Sequence, residues 1–289
     1  MRSFGRVLSR TGTALAVVLG LVAAPANIVA AAARTDYVNM GDSYSAGSGV
    51  PPPAPGSHPA CTQSARNWAH DIAGAQSYDL NDVSCGGAKT EDYTGAQFPG
   101  TAPQLDALSP AAELVTMTIG GNDGDLFADT VANCSAAAAT TAGRGSPCED
   151  TYGDTFTEKI ATTTYPNLVK TLREVKAEAP NAEVAIAGYL HILPPTQGCY
   201  PIMPVASGDV PYLNHIQATL NDAVERAAAA TAVTYVDVSE ASAGHDACQQ
   251  IGTRWIEPAV GSTNYIAIHP NALGEHAMAD RTTRTLGLH

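Results

Sequence analysis

A serine hydroxyl attacks a carbonyl carbon only when a base takes its proton, and the oxygen that then turns negative needs hydrogen-bond donors aimed at it. The chain carries residues of these types in four short blocks: Gly41-Asp42-Ser43-Tyr44-Ser45-Ala46-Gly47, Ser84-Cys85-Gly86-Gly87-Ala88-Lys89-Thr90, Gly120-Gly121-Asn122-Asp123 and His269-Pro270-Asn271. Ser43 is the candidate nucleophile and His269 the candidate base. The backbone N–H groups of Ser43 and Gly87 and the side-chain amide of Asn122 are candidate oxyanion donors, each of a kind worth ~3 kcal/mol of transition-state stabilisation. Ser43 read alone is also an ordinary N-cap serine, and Asn122-Asp123 after paired glycines also reads as a plain turn. Asp42 reads as a turn carboxylate bonding nearby amides rather than as a catalytic acid, and Ser45 is the rival nucleophile. His191 and His245 are the rivals to His269, since both follow expected strands, while His276 falls on the last helix.

The elements that must bring these blocks together follow from hydrophobic period. Short runs rich in β-branched residues, Tyr37 to Met40, Tyr78 to Val83, Leu114 to Ile119, Glu183 to Ala187 and Val233 to Val238, alternate with segments of helical period. Tyr165, Leu168, Val169, Leu172 and Val175 form one apolar stripe; Leu213, Ile216, Leu220, Ala223, Val224 and Ala227 form another. A last helix is expected from near Pro270 to Thr285. This alternation predicts an α/β fold with a parallel sheet, and in such sheets the ligand crevice lies at the carboxyl ends of the strands. Three of the five expected strands end in glycine-rich polar sequence, so their ends converge on one rim. Val50 to Ser64 and Ala132 to Gly153 are expected to be long irregular regions.

Arg2, Arg6 and Arg10 precede an apolar run that ends in small residues at Ala30 to Ala33, which predicts a signal peptide over residues 1–33 and an exported domain over 34–289. Pro25 and Asn27 interrupt that run and argue against a spanning helix. The net charge of −13 becomes −16 once the three leading arginines go, a surface that repels nucleic acid and disfavours stable residence on anionic membrane. At most transient contact with a lipid interface is expected, and a monomer. The six cysteines of an exported chain argue for three disulfides. Sequence permits fifteen pairings; the sequential one, Cys61 with Cys85, Cys134 with Cys148 and Cys199 with Cys248, lets each bond staple one loop region. No Cys-x-x-Cys is present, so no metal site is expected.

In order and spacing, the four blocks resemble those of the GDSL or SGNH hydrolases, and among them the secreted actinobacterial esterases and lipases with three disulfides. The resemblance spans Tyr37 to about Met278. It implies a three-layer α/β/α, flavodoxin-like fold with a five-stranded parallel sheet, Ser43 as nucleophile, Gly87 and Asn122 as oxyanion donors, and His269 as base. It further implies hydrolysis of a small-molecule or lipid ester with no metal or organic cofactor. Two departures stand out. Where many members carry an aspartate three residues before the histidine, this chain has Ile266, so the main-chain carbonyl of Ile266 is expected to orient the imidazole, with Glu257 and Asp246 as rival carboxylates. Gly86 stands where relatives often have serine, which leaves the choice between Gly86 and Gly87 open, although the following Ala88 favours Gly87. Removal of acetyl groups from a polysaccharide is a second enzymatic reading, and an inactive binding module of the same fold is a third.

Overall fold

Strand β1, Asp36–Gly41, is buried along its whole length after Asp36, as a central strand covered by helices on both faces must be. The computed structural model describes residues 34–288 and, before them, only 1–3, 5 and 8, so the expected signal peptide falls outside the described residues. Strands β2 (Asp79–Asp82), β3 (Leu114–Thr118), β4 (Glu183–Ala187) and β5 (Thr234–Val236) join β1 in one sheet in the order β2-β1-β3-β4-β5, with every neighbouring pair parallel. All five strands lie where the residue pattern placed them, with β5 shorter than expected.

Eight α-helices accompany the sheet among the described residues: α1 (Ser43–Ala46), α2 (Trp68–Gln76), α3 (Leu126–Thr140), α4 (Pro147–Tyr152), α5 (Thr155–Lys159), α6 (Tyr165–Glu178), α7 (Val210–Thr231) and α8 (Ala272–Leu286). The order reverses between β1 and β3, so right-handed crossovers put α2 on one face and α6 and α7 on the other. Helix α8 packs on α2, and α6 on α7, which gives three layers. The two expected stripes are the buried faces: Leu168, Leu172 and Val175 of α6 and Val224 and Ala227 of α7 are fully enclosed, each large aliphatic contributing ~1.5–3 kcal/mol by leaving water. A crevice opens where the strand order reverses, and the chain segments leaving β1 and β3 there carry Ser43 and Asn122.

Two expectations need correction. Residues 132–153 are not irregular, because α3 continues to Thr140 and α4 fills Pro147–Tyr152. The alanines at 136–139 favour helix by backbone propensity while drawing no apolar stripe, so hydrophobic period missed them. Pro270 does not open α8; it bridges Ile256, and Asn271 is the N-cap, its side chain accepting from the N–H groups of Leu273 and Gly274 at 3.0 and 3.2 Å. The six cysteines form Cys61–Cys85, Cys134–Cys148 and Cys199–Cys248. The first ties the Pro-rich loop to the segment after β2, the second ties α3 to α4, and the third secures the long segment after β4.

Candidate active site

The turn after β1 is possible only with glycine at position 41. Its φ is +111°, and an added Cβ would lie 2.1 Å from the Thr118 carbonyl oxygen. That close approach lets the Asp42 N–H donate to the same oxygen at 2.9 Å. Asp42 then caps α1: its carboxylate accepts from the Tyr44 N–H (3.0 Å), the Thr118 hydroxyl (2.7 Å) and the Tyr189 phenol (2.6 Å). Burial pushes this carboxyl up to about 6, against the pull of those bonds. With its oxygens spent on anchoring, Asp42 is the structural residue expected. Ser43 sits at the first position of α1, where an N–H has no intrahelical partner, and its amide makes none of the described bonds. The Ser45 hydroxyl is buried and accepts from the Thr118 N–H at 2.7 Å, so the rival nucleophile is already engaged.

From the far end of the chain, His269 reaches Ser43 with Nε2 at 2.7 Å from Oγ. Its Nδ1 lies 2.8 Å from the Ala267 carbonyl. A carbonyl can only accept, so Nδ1 carries the proton and Nε2 presents its lone pair to the serine hydroxyl. The orienting group is therefore a main-chain carbonyl, but that of Ala267 rather than Ile266. An aspartate side chain spans the distance from three residues back, whereas a backbone oxygen has no such reach. Ile268, at φ +59°, instead curls the chain until the carbonyl two residues back faces the ring. Neither rival carboxylate bonds His269. Asp246 accepts from the Cys248 N–H and the Gln249 amide. Glu257 accepts from Arg254 (2.6 and 3.2 Å), Asn271 (2.9 Å) and the Thr263 N–H (2.7 Å). Burial alone would raise the Glu257 carboxyl, but these donors and the Arg254 charge hold it below its ordinary value. Its backbone frames the histidine, since the Glu257 N–H donates to the His269 carbonyl and the Ile268 N–H to the Glu257 carbonyl, both at 2.9 Å. The His269 ring lies against Tyr44 and the edge of Phe127, and burial, partly offset by the Ala267 bond, lowers its pKa below 6.5.

The second and third blocks are stitched to one another. Asp123 accepts from the Thr90 N–H and hydroxyl at 2.9 and 2.8 Å, and Asn122 Nδ2 donates to the Ala88 carbonyl at 3.0 Å, which uses one of its two protons. Gly86 donates its N–H to the Cys61 carbonyl, and a side chain there would meet Thr62 Oγ1 at 2.6 Å. That packing accounts for the glycine at this position. The Gly87 amide, at φ +76°, makes none of the described bonds, so of the two glycines it is the one with a donor to spare. Tyr189 was not singled out by sequence, although it follows β4 at the carboxyl rim. Its phenol donates to Asp42 and accepts from the Gly121 N–H at 2.9 Å, tying the first block to the third.

Ser43, Asn122 and His269 open onto one cavity. Its walls are apolar: Leu126, Phe127 and Val131 from α3, Leu213 and Ile216 from α7, and Met203 and Val205 from the segment between β4 and α7. The rival bases lie elsewhere, His245 stacked on Trp255 and His191 on a separate pocket, its backbone N–H donating to Ser242 Oγ at 2.8 Å, and neither bonds Ser43; His276, on the last helix as expected, lies beside Asp71. Among the described residues no group of three or more His, Cys, Asp or Glu side chains could hold a metal ion, and no described helix is long and apolar enough to cross a membrane.

Residues 40–277 match the model of the GDSL-like lipase/acylhydrolase family. Over 288 residues the chain is 49% identical to Lipase 2 of Streptomyces coelicolor, covering 98% of this chain and 97% of that one. Among solved structures it is similar to phospholipase A1 from Streptomyces albidoflavus NA297, with a TM-score of 0.73 and 26% identity, covering 88% of this chain and all of the other. It is equally similar to the extracellular lipase from Streptomyces rimosus, with a TM-score of 0.72 and 26% identity, covering 87% of this chain and 99% of that one.

Proposed function

Since this chain belongs to the GDSL-like lipase/acylhydrolase family, we propose that it is an exported ester hydrolase that works through an acyl-enzyme on Ser43 with His269 as base. The observation that carries this reading is the 2.7 Å contact between Ser43 Oγ and the unprotonated Nε2 of His269 at an apolar cavity. Ser43 attacks the ester carbonyl while Nε2 takes its proton. The tetrahedral oxyanion accepts from the N–H groups of Ser43 and Gly87 and from the second Asn122 proton. The imidazolium, held by the Ala267 carbonyl, returns the proton to the leaving alcohol. A water molecule then repeats the sequence to free the acid. Of the paired groups, only a Ser–His dyad is required, with the carbonyl in the place of a triad carboxylate.

The apolar walls favour a fatty acyl group over an acetyl group, which would leave most of that surface uncovered. Export is supported by the basic and apolar leader, by three disulfides, which persist in oxidising surroundings, and by a structural relative described as extracellular. The chain acts as a monomer on a small or lipid ester and takes no nucleic acid.

A panel of p-nitrophenyl esters of rising acyl length tests the reading, with the purified protein and its Ser43→Ala variant side by side. Turnover that rises beyond acetate and vanishes in the variant is expected. Activity on acetate alone would favour polysaccharide deacetylation, and no turnover at any length would favour a binding module.

A further inference from the structure

In a chain where 15% of residues are charged and the net charge is −13, the three longest stretches of residues 34–288 without Asp, Glu, Lys or Arg are 43–65, 184–208 and 258–274. The fold gathers all three around the catalytic cleft. Each lines the cavity, the first through Ser43 and Tyr44, the second through Met203 and Pro204, the third through Ile268 and His269. They are also joined outside it. The Val260 N–H donates to the Ile202 carbonyl at 3.1 Å, the Ala259 N–H contacts Met203 Sδ at 3.4 Å, and the Tyr265 N–H donates to the Gly49 carbonyl at 3.1 Å.

The second and third of these segments hold most of the large apolar side chains that the folded domain leaves in water. Ile202 is 47% exposed, Val260 61% and Tyr265 74%, and Tyr200 and Leu273 are exposed as well. Single exposed apolar residues are ordinary, but apolar residues that adjoin one another in a charge-free zone mark an interaction face. All of the chain's acidic residues lie outside these three segments.

We propose that this uncharged rim, centred on Ile202 and Val260, is a docking surface for an electrically neutral lipid–water interface, one of zwitterionic or uncharged lipid. The inference rests on the ester-hydrolase reading of the cleft that the rim surrounds. Two features identify the occupant. The rim is continuous with the cavity lining through Ile202, Met203 and Pro204, so on that side an ester held in a lipid layer reaches the cleft past uncharged residues. The acidity of the rest of the molecule opposes approach to an anionic surface, by repulsion that salt weakens, and nothing on the rim supplies the cations that would offset it. Burying such side chains at an interface gains free energy in proportion to the apolar area removed from water, which for a few residues gives reversible docking rather than permanent residence.

The test uses the whole protein carrying Ser43→Ala, so that vesicles are not consumed, and measures co-sedimentation with vesicles of pure phosphatidylcholine and with vesicles half phosphatidylglycerol. Binding to the first, weaker binding to the second at low salt, and a tenfold or greater loss of binding with Ile202→Asp and Val260→Asp together are expected. In the Ser43-containing protein the same two changes should leave kcat/KM on dissolved p-nitrophenyl butyrate within about twofold, while lowering turnover of an emulsified ester at least tenfold. A protein that stays in the supernatant with phosphatidylcholine, that prefers the anionic vesicles, or that binds equally well with both changes would overturn the proposal. So would a concentration-dependent dimer that the two changes dissolve, since a second copy would then cover the rim. Loss of dissolved-ester turnover in the unaltered protein would instead remove the hydrolase reading beneath it.

Discussion

Replacing Glu257 by glutamine separates two accounts of how His269 is held. If the carboxylate were the orienting member of a triad, its neutralisation would lower kcat by about 10⁴, the size of effect known for a disabled triad aspartate. The geometry assigns it other work. Its oxygens accept from Arg254, Asn271 and the Thr263 N–H, while the proton on His269 Nδ1 goes to the Ala267 carbonyl. The expected kcat of the variant at 25 °C is therefore within about tenfold of the original. Stability tells a different story. Arg254 is 7% exposed and Glu257 1%, so glutamine leaves a buried guanidinium without its counter-charge, at a cost of about 3–5 kcal/mol. At roughly 2–4 °C per kcal/mol for a domain of this size, the melting temperature should fall by roughly 6–20 °C, toward the lower end because the amide oxygen still accepts one bond. Initial rates on a dissolved p-nitrophenyl ester, normalised by titrating Ser43 with an organophosphate, would be paired with thermal unfolding followed by circular dichroism. A fall in kcat near 10⁴ in protein that remains folded would refute the carbonyl-held dyad. An unchanged melting temperature would refute the structural role given to the Arg254–Glu257 pair.

Asn122→Ala should lower kcat by about 10²–10³ with little change in KM, as removal of one oxyanion donor does, while the lost bond to the Ala88 carbonyl costs only ~1 kcal/mol of stability; steady-state kinetics and a melting curve read the two separately. Because burial lowers the His269 pKa, the base stays unprotonated into mildly acidic solution, so the acid limb of kcat/KM should lie below pH 6.5; a limb above that value would contradict the buried, neutral imidazole. Glu275 is fully buried, accepts from the Trp68 N–H at 2.9 Å through one oxygen and has no partner for the other among the described residues. Burial first, then the nearby Asp71 and Asp82 charges, raise its pKa well above the ordinary value, against the pull of the Trp68 bond. The folded state thus holds that proton more tightly than the unfolded chain, and the stability it contributes is lost as pH rises above the ordinary glutamate value. Glu275→Gln should accordingly gain stability over the original protein in denaturant titrations at pH 8 to 9 and not at pH 4; a gain of the same size at both would exclude ionisation as the cause.

The parts of the site that were readable in sequence were those fixed by residue type. Ser43, His269 and Asn122 have chemistry that few side chains share, and the strand pattern sent their blocks to one rim. What was not readable depends on backbone course. That Ala267 and not Ile266 faces the imidazole follows from the φ of Ile268, a β-branched residue for which that conformation is rare, so nothing in its identity announces the turn. Tyr189 looked like any aromatic after a strand until the fold brought its phenol to Asp42. The end of α3 hid for the opposite reason, since a run of alanine favours helix without drawing a face. Glu257 shows a fourth limit, because a carboxylate near a histidine in sequence says nothing about which donors will claim it first.

The serine and the histidine that share a proton are 226 positions apart in the chain. A growing polypeptide thus carries its nucleophile long before it acquires the partner that awakens it. Any product of synthesis that stops short of position 269 lacks the base and is expected to be inert toward esters, and so is any fragment clipped ahead of it.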